Sequence, residues 1–372
     1  MIGRAREGLA RWGARARRGR VDWTAAGIEG CAGGTVAIAP SDYLGVSAAT
    51  RRLFPTTVDV DAAALLLASD RLGLVDAILD SEAERIVFSG WVDGYAAVAR
   101  ELARRAPGRF LGVLWHGSPM QLADADERRS YDDVVALAAE GVIDRVGFFK
   151  SGEGEAHASR GLPAVDVFNP PPTGSPERRS DPDEGKNEAL RLGLFVAGPS
   201  WRKNPYAMLA AVARLEGARL TGVLDAPAQA HARRLGIVLA HVRAHPFGET
   251  ALVGHLRAQD CNLYVTLSEC SPLLPLESLH LGVPCLIGAS SHLFVGTPVA
   301  SAPAVDEAAR LLETRLVVPR ADDPRAIEDA IRRAVADRDA ILDAYAAWAP
   351  AYAEVARASI DRFLADGSGR RA

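Results

Sequence analysis

Residues 261–289 read CNLYVTLSECSPLLPLESLHLGVPCLIGA. The apolar run Asn262 to Leu267 predicts a short strand, and Ser268–Glu269 predicts a turn at its carboxyl end. A Pro-bounded loop leads into a helix carrying Leu276, Glu277, Leu279 and His280. Gly282–Val283–Pro284 stops that helix, because Gly suits a helix C-terminus and Pro cannot continue one. Cys285 to Ile287 then open the next strand. Such a strand–loop–helix–strand unit is the building block of a parallel sheet with helices packed on it. It places Glu269 just past a strand's carboxyl end and Glu277 inside the following helix, eight residues on. Both can face the crevice in which open α/β sheets bind ligands.

A carboxylate beside a helix start suits a sugar–nucleotide ligand. Vicinal hydroxyls of a ribose or hexose are paired donors, and an ionised carboxylate accepts two of them. Between the two carboxylates, backbone N–H groups at the helix N-terminus (Leu273, Leu274) can hold phosphate. The competing reading is one solvated Glu at a strand end and one on a helix surface. The uncharged run Cys270 to Leu276 between them and the Gly-Val-Pro stop favour a buried, purposeful pair.

These residues resemble the Glu-x7-Glu motif of retaining glycosyltransferases of the GT-B architecture, family 4 in particular. The resemblance runs on through LESLHLGVPCL, where that family has Leu-Glu-Ala, hydrophobic residues and Gly-x-Pro-Val. It departs inside the loop, where the family commonly has Gly-Phe-Gly and this chain has Cys270–Ser271–Pro272. The fold class implied is α/β: two Rossmann-like domains facing a cleft, with a C-terminal helix crossing back to the first. The resemblance covers residues 191–337 well and residues 110–170 loosely, and is hard to see before residue 85.

Composition agrees with that class. A chain of 372 residues fits two domains. Its 48% apolar and 24% charged content is globular, and a net charge of −4 argues against general nucleic-acid binding. The four cysteines, Cys31, Cys261, Cys270 and Cys285, form no CxxC pair and read as reduced thiols of a cytoplasmic protein. No run of 18 uncharged apolar residues predicts a membrane span, and the N-terminus lacks the apolar stretch of a signal peptide. Residues 1–20 hold seven Arg and one Glu beside Ile2, Leu9 and Trp12. That pattern reads either as a segment in peripheral contact with an anionic membrane, at the inner surface, or as a solvated extension.

Alternating short apolar runs and helical stretches fill the rest. Strands are predicted at 35–39, 85–89, 110–115, 145–149 and 164–168, with helices at 94–106 and 131–140 between them and a helical stretch around Arg51 and Arg52. Residues 169–189 have the Pro, Gly and charge content of a linker. A second series follows, with strands at 191–197, 218–224, 237–242, 262–267, 283–287 and 315–318. Helices are predicted near 205–215, 227–235, 249–258, 273–281, 306–312 and 324–337. Asp323–Pro324 fits the cap and first position of the 324–337 helix. The division expected is a basic extension 1–20, an acceptor domain 21–170, a linker 171–190, a donor domain 191–340, and a crossover helix with its tail, 341–372.

The loops after the first series carry Asp42 and Tyr43, Trp91, Asp93 and Tyr95, His116 with Gly117, and Lys150. Asp42, Tyr43, Trp91 and Asp93 are candidates for holding the acceptor. Trp91 and Tyr95 read equally well as core aromatics at a loop base. His116–Gly117 resembles the family's His-Gly, whose His contacts the donor sugar. In the second series Gly198-Pro-Ser-Trp-Arg202-Lys203-Asn204-Pro205 joins a strand to a helix. Two adjacent cations near a helix start can neutralise a departing diphosphate. Lys203 falls where the family has its Lys, Asn204 stands where it has Gly, and Pro199 where it has Arg, leaving Arg202 to supply that charge. Phe247, in His245–Pro246–Phe247, falls near the family's base-contacting loop.

The resemblance therefore implies transfer of a sugar from a nucleotide-diphosphate donor to an acceptor hydroxyl with retention of configuration. Glu269 would serve the developing charge at the reacting carbon, Glu277 the ribose, and His116 the sugar. No metal or other cofactor is implied. Asp59–Val60–Asp61 mimics an Asp-x-Asp metal motif in a segment without clear periodicity and reads as coincidence, and no Cys/His cluster has zinc spacing. The rival readings are a GT-B epimerase or phosphorylase, and a non-catalytic GT-B binding module.

Overall fold

The computed structural model describes residues 34–81, 83–178, 189–196, 201–295 and 302–365. The Arg-rich residues 1–20, Cys31, Gly198 and Pro199 lie outside them. The chain forms two compact units: residues up to Asn169 together with those from Ala356 on, and Pro170–Val355.

In the first unit six strands, β1 Thr35–Pro40, β2 Thr57–Val60, β3 Arg85–Ser89, β4 Phe110–Trp115, β5 Arg145–Phe148 and β6 Ala164–Asp166, form one sheet. Its order is β2-β1-β3-β4-β5-β6, and every pairing is parallel. A parallel sheet is covered by helices on both faces, so its strands are apolar throughout rather than alternating. Val36 to Ala39, Ile86 to Phe88 and Leu111, Val113 and Leu114 are accordingly buried.

The second unit repeats the plan. Strands β7 Arg191–Phe195, β8 Arg219–Val223, β9 Val238–Arg243, β10 Cys261–Tyr264, β11 Cys285–Gly288 and β12 Val317–Val318 pair in the order β12-β11-β10-β7-β8-β9, again all parallel. Leu192, Leu194, Leu220, Leu263 and Leu286 form its buried centre, and Cys261 and Cys285 are buried free thiols within it. Residues 170–178, at the start of the expected linker, are held on this unit. The Glu177 amide donates to the His280 carbonyl at 2.7 Å, and the Glu177 carboxylate pairs with Arg257.

The expected strands and helices stand where the sequence pattern places them, with corrections at their ends. The strand expected over 262–267 stops at Tyr264. The Thr266 amide folds back onto the Tyr264 carbonyl, and the Leu267 amide bonds Arg202, both at 2.8 Å. The helix expected over 131–140 starts six residues earlier, because Asp124 caps it through the amides of Asp126 and Glu127. The strand expected over 315–318 shrinks to Val317–Val318, because the helix Pro303–Leu316 runs up to it. Asp323 caps the helix Pro324–Ala336 as expected, accepting from Arg325 and Ala326.

Three elements had no signal. β2 is a four-residue edge strand whose Asp59 faces out, the helix Ala68–Asp80 carries Gly73 in its middle, and the helix Glu153–Ala158 spans six residues. The Asp59–Val60–Asp61 stretch thus belongs to β2 and its end. Asp59 accepts from Ser47 and Arg51, and Asp61 from the Ala63 amide.

The last helix, Arg338–Leu364, holds Pro350 within it, and its residues from Ala356 on belong to the first unit. There Phe363 lies edge-on to Phe110 and fills the face over Gly112 and Gly147. Arg145 donates to the carbonyls of Arg362, Phe363 and Ala365, the unsatisfied acceptors of a helix C-terminus.

Close strand approach in the second sheet needs a missing side chain at Gly222, where an added Cβ would meet the Leu194 carbonyl oxygen at 1.9 Å. Gly222→Ala is expected to destabilise by about 2–3 kcal/mol. Gly248→Ala, with nothing within 4 Å of the new carbon, is the matched control and stays within about 0.5 kcal/mol of wild type. Urea unfolding of both variants measures the difference, and equal midpoints would remove the packing argument.

Candidate functional site

Strand order marks where each sheet opens. In the second unit the chain runs outward through β7, β8 and β9, then returns to the other side of β7 for β10, β11 and β12. The direction reverses between β7 and β10, so the segments leaving those two strands diverge and leave a crevice at their carboxyl ends. Arg202 and Lys203 stand on a helical turn, Trp201–Lys203, after β7, and Glu269 stands in the loop after β10.

The structure brings these three side chains together and adds a fourth. Lys203 Nζ lies 2.6 Å from Glu269 Oε2 and 2.7 Å from the Tyr264 hydroxyl, which itself donates to Glu269 Oε2 at 2.8 Å. Arg202 reaches Glu269 Oε1 at 3.4 Å and the Ser268 carbonyl at the same distance. The Lys203 and Glu269 side chains are only 12% and 11% exposed, so the charges face each other largely out of water. Backbone bonds fix the arrangement, since Leu267 N–H donates to the Arg202 carbonyl. Asn204 sits at φ +54°, a left-handed conformation open to Gly and Asn, and its side chain donates to the carbonyls of Val265 and Ala321. That explains how Asn can occupy a position where the resembling family has Gly.

Burial acts on the two partners in opposite senses. It raises the Glu269 pKa, but Lys203 and Arg202, with hydrogen bonds from Lys203 and Tyr264, outweigh it and hold the carboxyl below the usual range. For Lys203 burial dominates and lowers the ammonium pKa against the attraction of Glu269. The direction at Glu269 decides the state of the pair. A neutral Lys203 would leave the enclosed carboxylate without its nearest cation, which costs more than desolvating the ammonium beside it. Tyr264 stays protonated, its pKa raised by burial and by Glu269.

The other predicted donor-side residues belong to the same unit. Glu277 is half-buried on the helix Leu273–His280, whose first residues are Leu273 and Leu274. Pro272 precedes them and makes no side-chain cap bond. Leu274 packs with Phe195, Val223 and Leu256, the cluster against which Phe247 also rests. Phe247 lies edge-on to Phe195 and is covered by Arg243 at 5.0 Å and His255 at 4.2 Å.

In the first unit the order reverses between β1 and β3. The candidates Asp42, Tyr43 and Asp93 are exposed on the loops after those strands. Trp91 is instead 7% exposed, packed edge-on to Phe88 and Tyr95, so it and the fully buried Tyr95 are core aromatics at the loop base. His116 follows β4. Its Nε2 is 2.9 Å from Ser89 Oγ, which lies 2.6 Å from the Thr50 hydroxyl, and its ring stacks on Phe149 at 4.2 Å. The residue keeps part of its surface open, but the ring is enclosed, and enclosure pushes its pKa down to about 3. His116 is therefore a neutral hydrogen-bonding group at physiological pH. Among the described residues no group of three or more His, Cys, Asp or Glu is placed to hold a metal ion, and no helix is long and apolar enough to cross a membrane.

Sequence reasoning missed Tyr264, Ser89 and Thr50. The available signal was position: Tyr264 and Ser89 are the last residues of β10 and β3, each at the carboxyl end of a strand next to the reversal.

Lys203→Met should leave Glu269 enclosed with a weaker partner and cost about 3 kcal/mol in urea unfolding. Adding Glu269→Gln should recover part of that loss, and strict additivity of the two changes would show that they do not act as a pair. For His116 the folded pKa lies below the unfolded value, so the neutral form stabilises the fold. That contribution is complete above pH ~6.5 and is lost as the pH falls toward 3. Wild type should accordingly lose more stability than His116→Gln between pH 7 and pH 4.5, and parallel curves would contradict the enclosure of the ring.

No family model matches the chain, and no curated protein matches it in sequence. Solved structures match it in fold. A UDP-forming α,α-trehalose-phosphate synthase from Burkholderia vietnamiensis is 11% identical, with 88% of this chain and 98% of that one aligned at a TM-score of 0.57. HepE from Anabaena, solved with UDP and glucose, is 14% identical over 89% and 99% of the two chains at 0.57. The sucrose-phosphate synthase of Thermosynechococcus elongatus is 16% identical over 89% and 96% at 0.53. At such identities the likeness speaks for architecture: two parallel six-stranded sheets covered by helices, the GT-B fold.

Proposed function

We propose that this protein is a glycosyltransferase that moves a sugar from a nucleoside-diphosphate donor to an acceptor hydroxyl, with retention at the anomeric carbon. The observation that carries the reading is the Lys203–Glu269–Tyr264–Arg202 cluster at the reversal between β7 and β10. Two cations and a carboxylate at one crevice are the groups that a sugar diphosphate demands. The diphosphate is an anion for Lys203, Arg202 and the first amides of the helix, those of Leu273 and Leu274. Its arrival draws the cations from Glu269, whose carboxylate then accepts sugar hydroxyls and stabilises positive charge at the anomeric carbon. Glu277 accepts the ribose hydroxyls, with Phe247 near the base, and neutral His116 supplies a hydrogen-bonding group for the sugar. The bond from the anomeric carbon to the phosphate oxygen breaks as the acceptor oxygen bonds the same face, and the acceptor proton passes to the departing phosphate. The chemistry needs no metal, because Lys203 and Arg202 carry the neutralising charge.

Two of the matched structures, one of a protein named as UDP-forming and one solved with UDP, make a uridine donor the first choice. Asp42, Tyr43 and Asp93 are the acceptor-side residues of the reading. The seven arginines among residues 1–20 add an attraction to anionic lipid, about 1 kcal/mol for each that reaches the surface, as befits a cytoplasmic protein working at the inner face of a membrane.

Thermal unfolding with UDP, GDP, ADP, dTDP and CDP, alone and as sugar conjugates, tests the donor site. A ligand at 100 times its dissociation constant adds about 2.7 kcal/mol of stability. UDP or a UDP-sugar should respond and Glu277→Ala should weaken the response. Silence from every nucleotide would refute the reading.

A further inference from the structure

We infer that Thr50 and Ser89 are positioning residues that fix the neutral His116 ring as the tautomer protonated at Nε2, so that its Nδ1 is an acceptor. The inference deepens the glycosyltransferase reading above and rests on it for what that nitrogen serves: a donor group such as a sugar hydroxyl, rather than a phosphate oxygen. Three side chains from three elements stand in a row. His116 Nε2 lies 2.9 Å from Ser89 Oγ, Ser89 Oγ lies 2.6 Å from Thr50 Oγ1, and Thr50 Oγ1 lies 2.7 Å from the Val46 carbonyl oxygen. Thr50 is in the helix Leu44–Leu53, Ser89 ends β3, and His116 follows β4.

The count of hydrogens gives the row its direction. Each hydroxyl has one hydrogen, and the Val46 carbonyl has none to give. The Thr50 hydroxyl is within reach of two acceptors, Val46 and Ser89, but can donate to one. Pointed at Ser89, it would leave the Thr50 and Val46 oxygens 2.7 Å apart with no hydrogen between them. It therefore goes to Val46, four residues back, the ordinary bond of a threonine inside a helix. Thr50 then accepts from Ser89, and Ser89, its own hydrogen spent, accepts from His116. The hydrogen in that last contact comes from Nε2. A neutral imidazole carries one N–H, so Nδ1 is the acceptor. Thr50 and Ser89 are fully buried, which keeps water from replacing either link. The ring is held in plane by Phe149, stacked on it with ring planes 30° apart, and its enclosure keeps it uncharged through the physiological range.

Nitrogen NMR of the full-length protein tests this, because a protonated and a bare imidazole nitrogen resonate far apart. His116→Gln identifies the His116 signals by removing them. Wild type near neutral pH should show Nε2 protonated and Nδ1 bare. Thr50→Val keeps the side chain's shape and removes its hydroxyl, which leaves the Ser89 hydrogen with Nε2 as its acceptor. His116 should then switch to the form protonated at Nδ1, while Thr50→Ser, which keeps a hydroxyl, should hold the wild-type form. The melting temperature should fall by no more than about 4 °C in either variant. Calorimetry with UDP and UDP-glucose reads the consequence. In Thr50→Val the affinity for UDP-glucose should fall about fivefold, the worth of one neutral hydrogen bond, with that for UDP unchanged. Wild type protonated at Nδ1, or a Thr50→Val protein with the wild-type tautomer, overturns the inference whatever the ligands do. Equal losses for UDP and UDP-glucose show a structural effect and overturn the positioning role. Wild type that has the expected tautomer but binds neither nucleotide overturns the donor reading and leaves the tautomer assignment standing.

Discussion

The carboxylate of Glu269 is the constraint from which the second unit's open edge follows. An ionised carboxylate with a tenth of its surface in water must be met by cations and donors, or it neutralises. Lys203, Arg202 and Tyr264 meet it, and they come from two segments that stand far apart in sequence, Lys203 being 66 residues before Glu269, and that only the β7–β10 pairing makes neighbours. The bond from Leu267 to the Arg202 carbonyl and the left-handed turn at Asn204 serve the same end, because each holds the cation-bearing turn against the loop after β10.

That arrangement also describes a resting state suited to a charged ligand. Cations already held near a carboxylate lose little further freedom when a phosphate replaces it, and the ammonium of Lys203, disfavoured by burial, gains from a second anion. The first unit offers the contrasting chemistry. His116, enclosed by Phe149 and linked to Ser89, is kept neutral, and the aromatic base of its neighbouring loop, Trp91 and Tyr95, belongs to the core. One unit collects charge at its carboxyl edge, while the other holds an uncharged imidazole.

The last helix links fold and site in a way that sequence order hides. Its first part stacks Trp348 on Tyr352 and ties Tyr345 to the Leu276 carbonyl beside Glu277, and its final residues complete the covering of the first sheet through Phe363 and the Arg145 cap. Aromatic residues spaced along one helix face read in sequence as core, which they are. That Tyr345 also holds the backbone beside Glu277 depends on where its hydroxyl ends.

How much was legible divides by the range of the forces involved. Alternating apolar runs and helical stretches specified ten of the twelve described strands closely, because most are buried on both faces and such a strand must be apolar whatever it pairs with. Glu269, Lys203 and Arg202 were legible because their types and their places just past strand ends are local facts. β2 escaped, being four residues long with a charge at its third, and β12 was placed only in part, since a two-residue strand has no period. Tyr264 and Ser89 escaped because each gains its meaning from a partner that folding brings near. The sequence by itself determined the parallel α/β class, the two-part plan and the charged residue types at the strand ends. Only the tertiary structure decided strand order, and with it which ends adjoin at each reversal. A hydrogen bond or ion pair acts over about 3 Å, and no spacing along the chain encodes that distance.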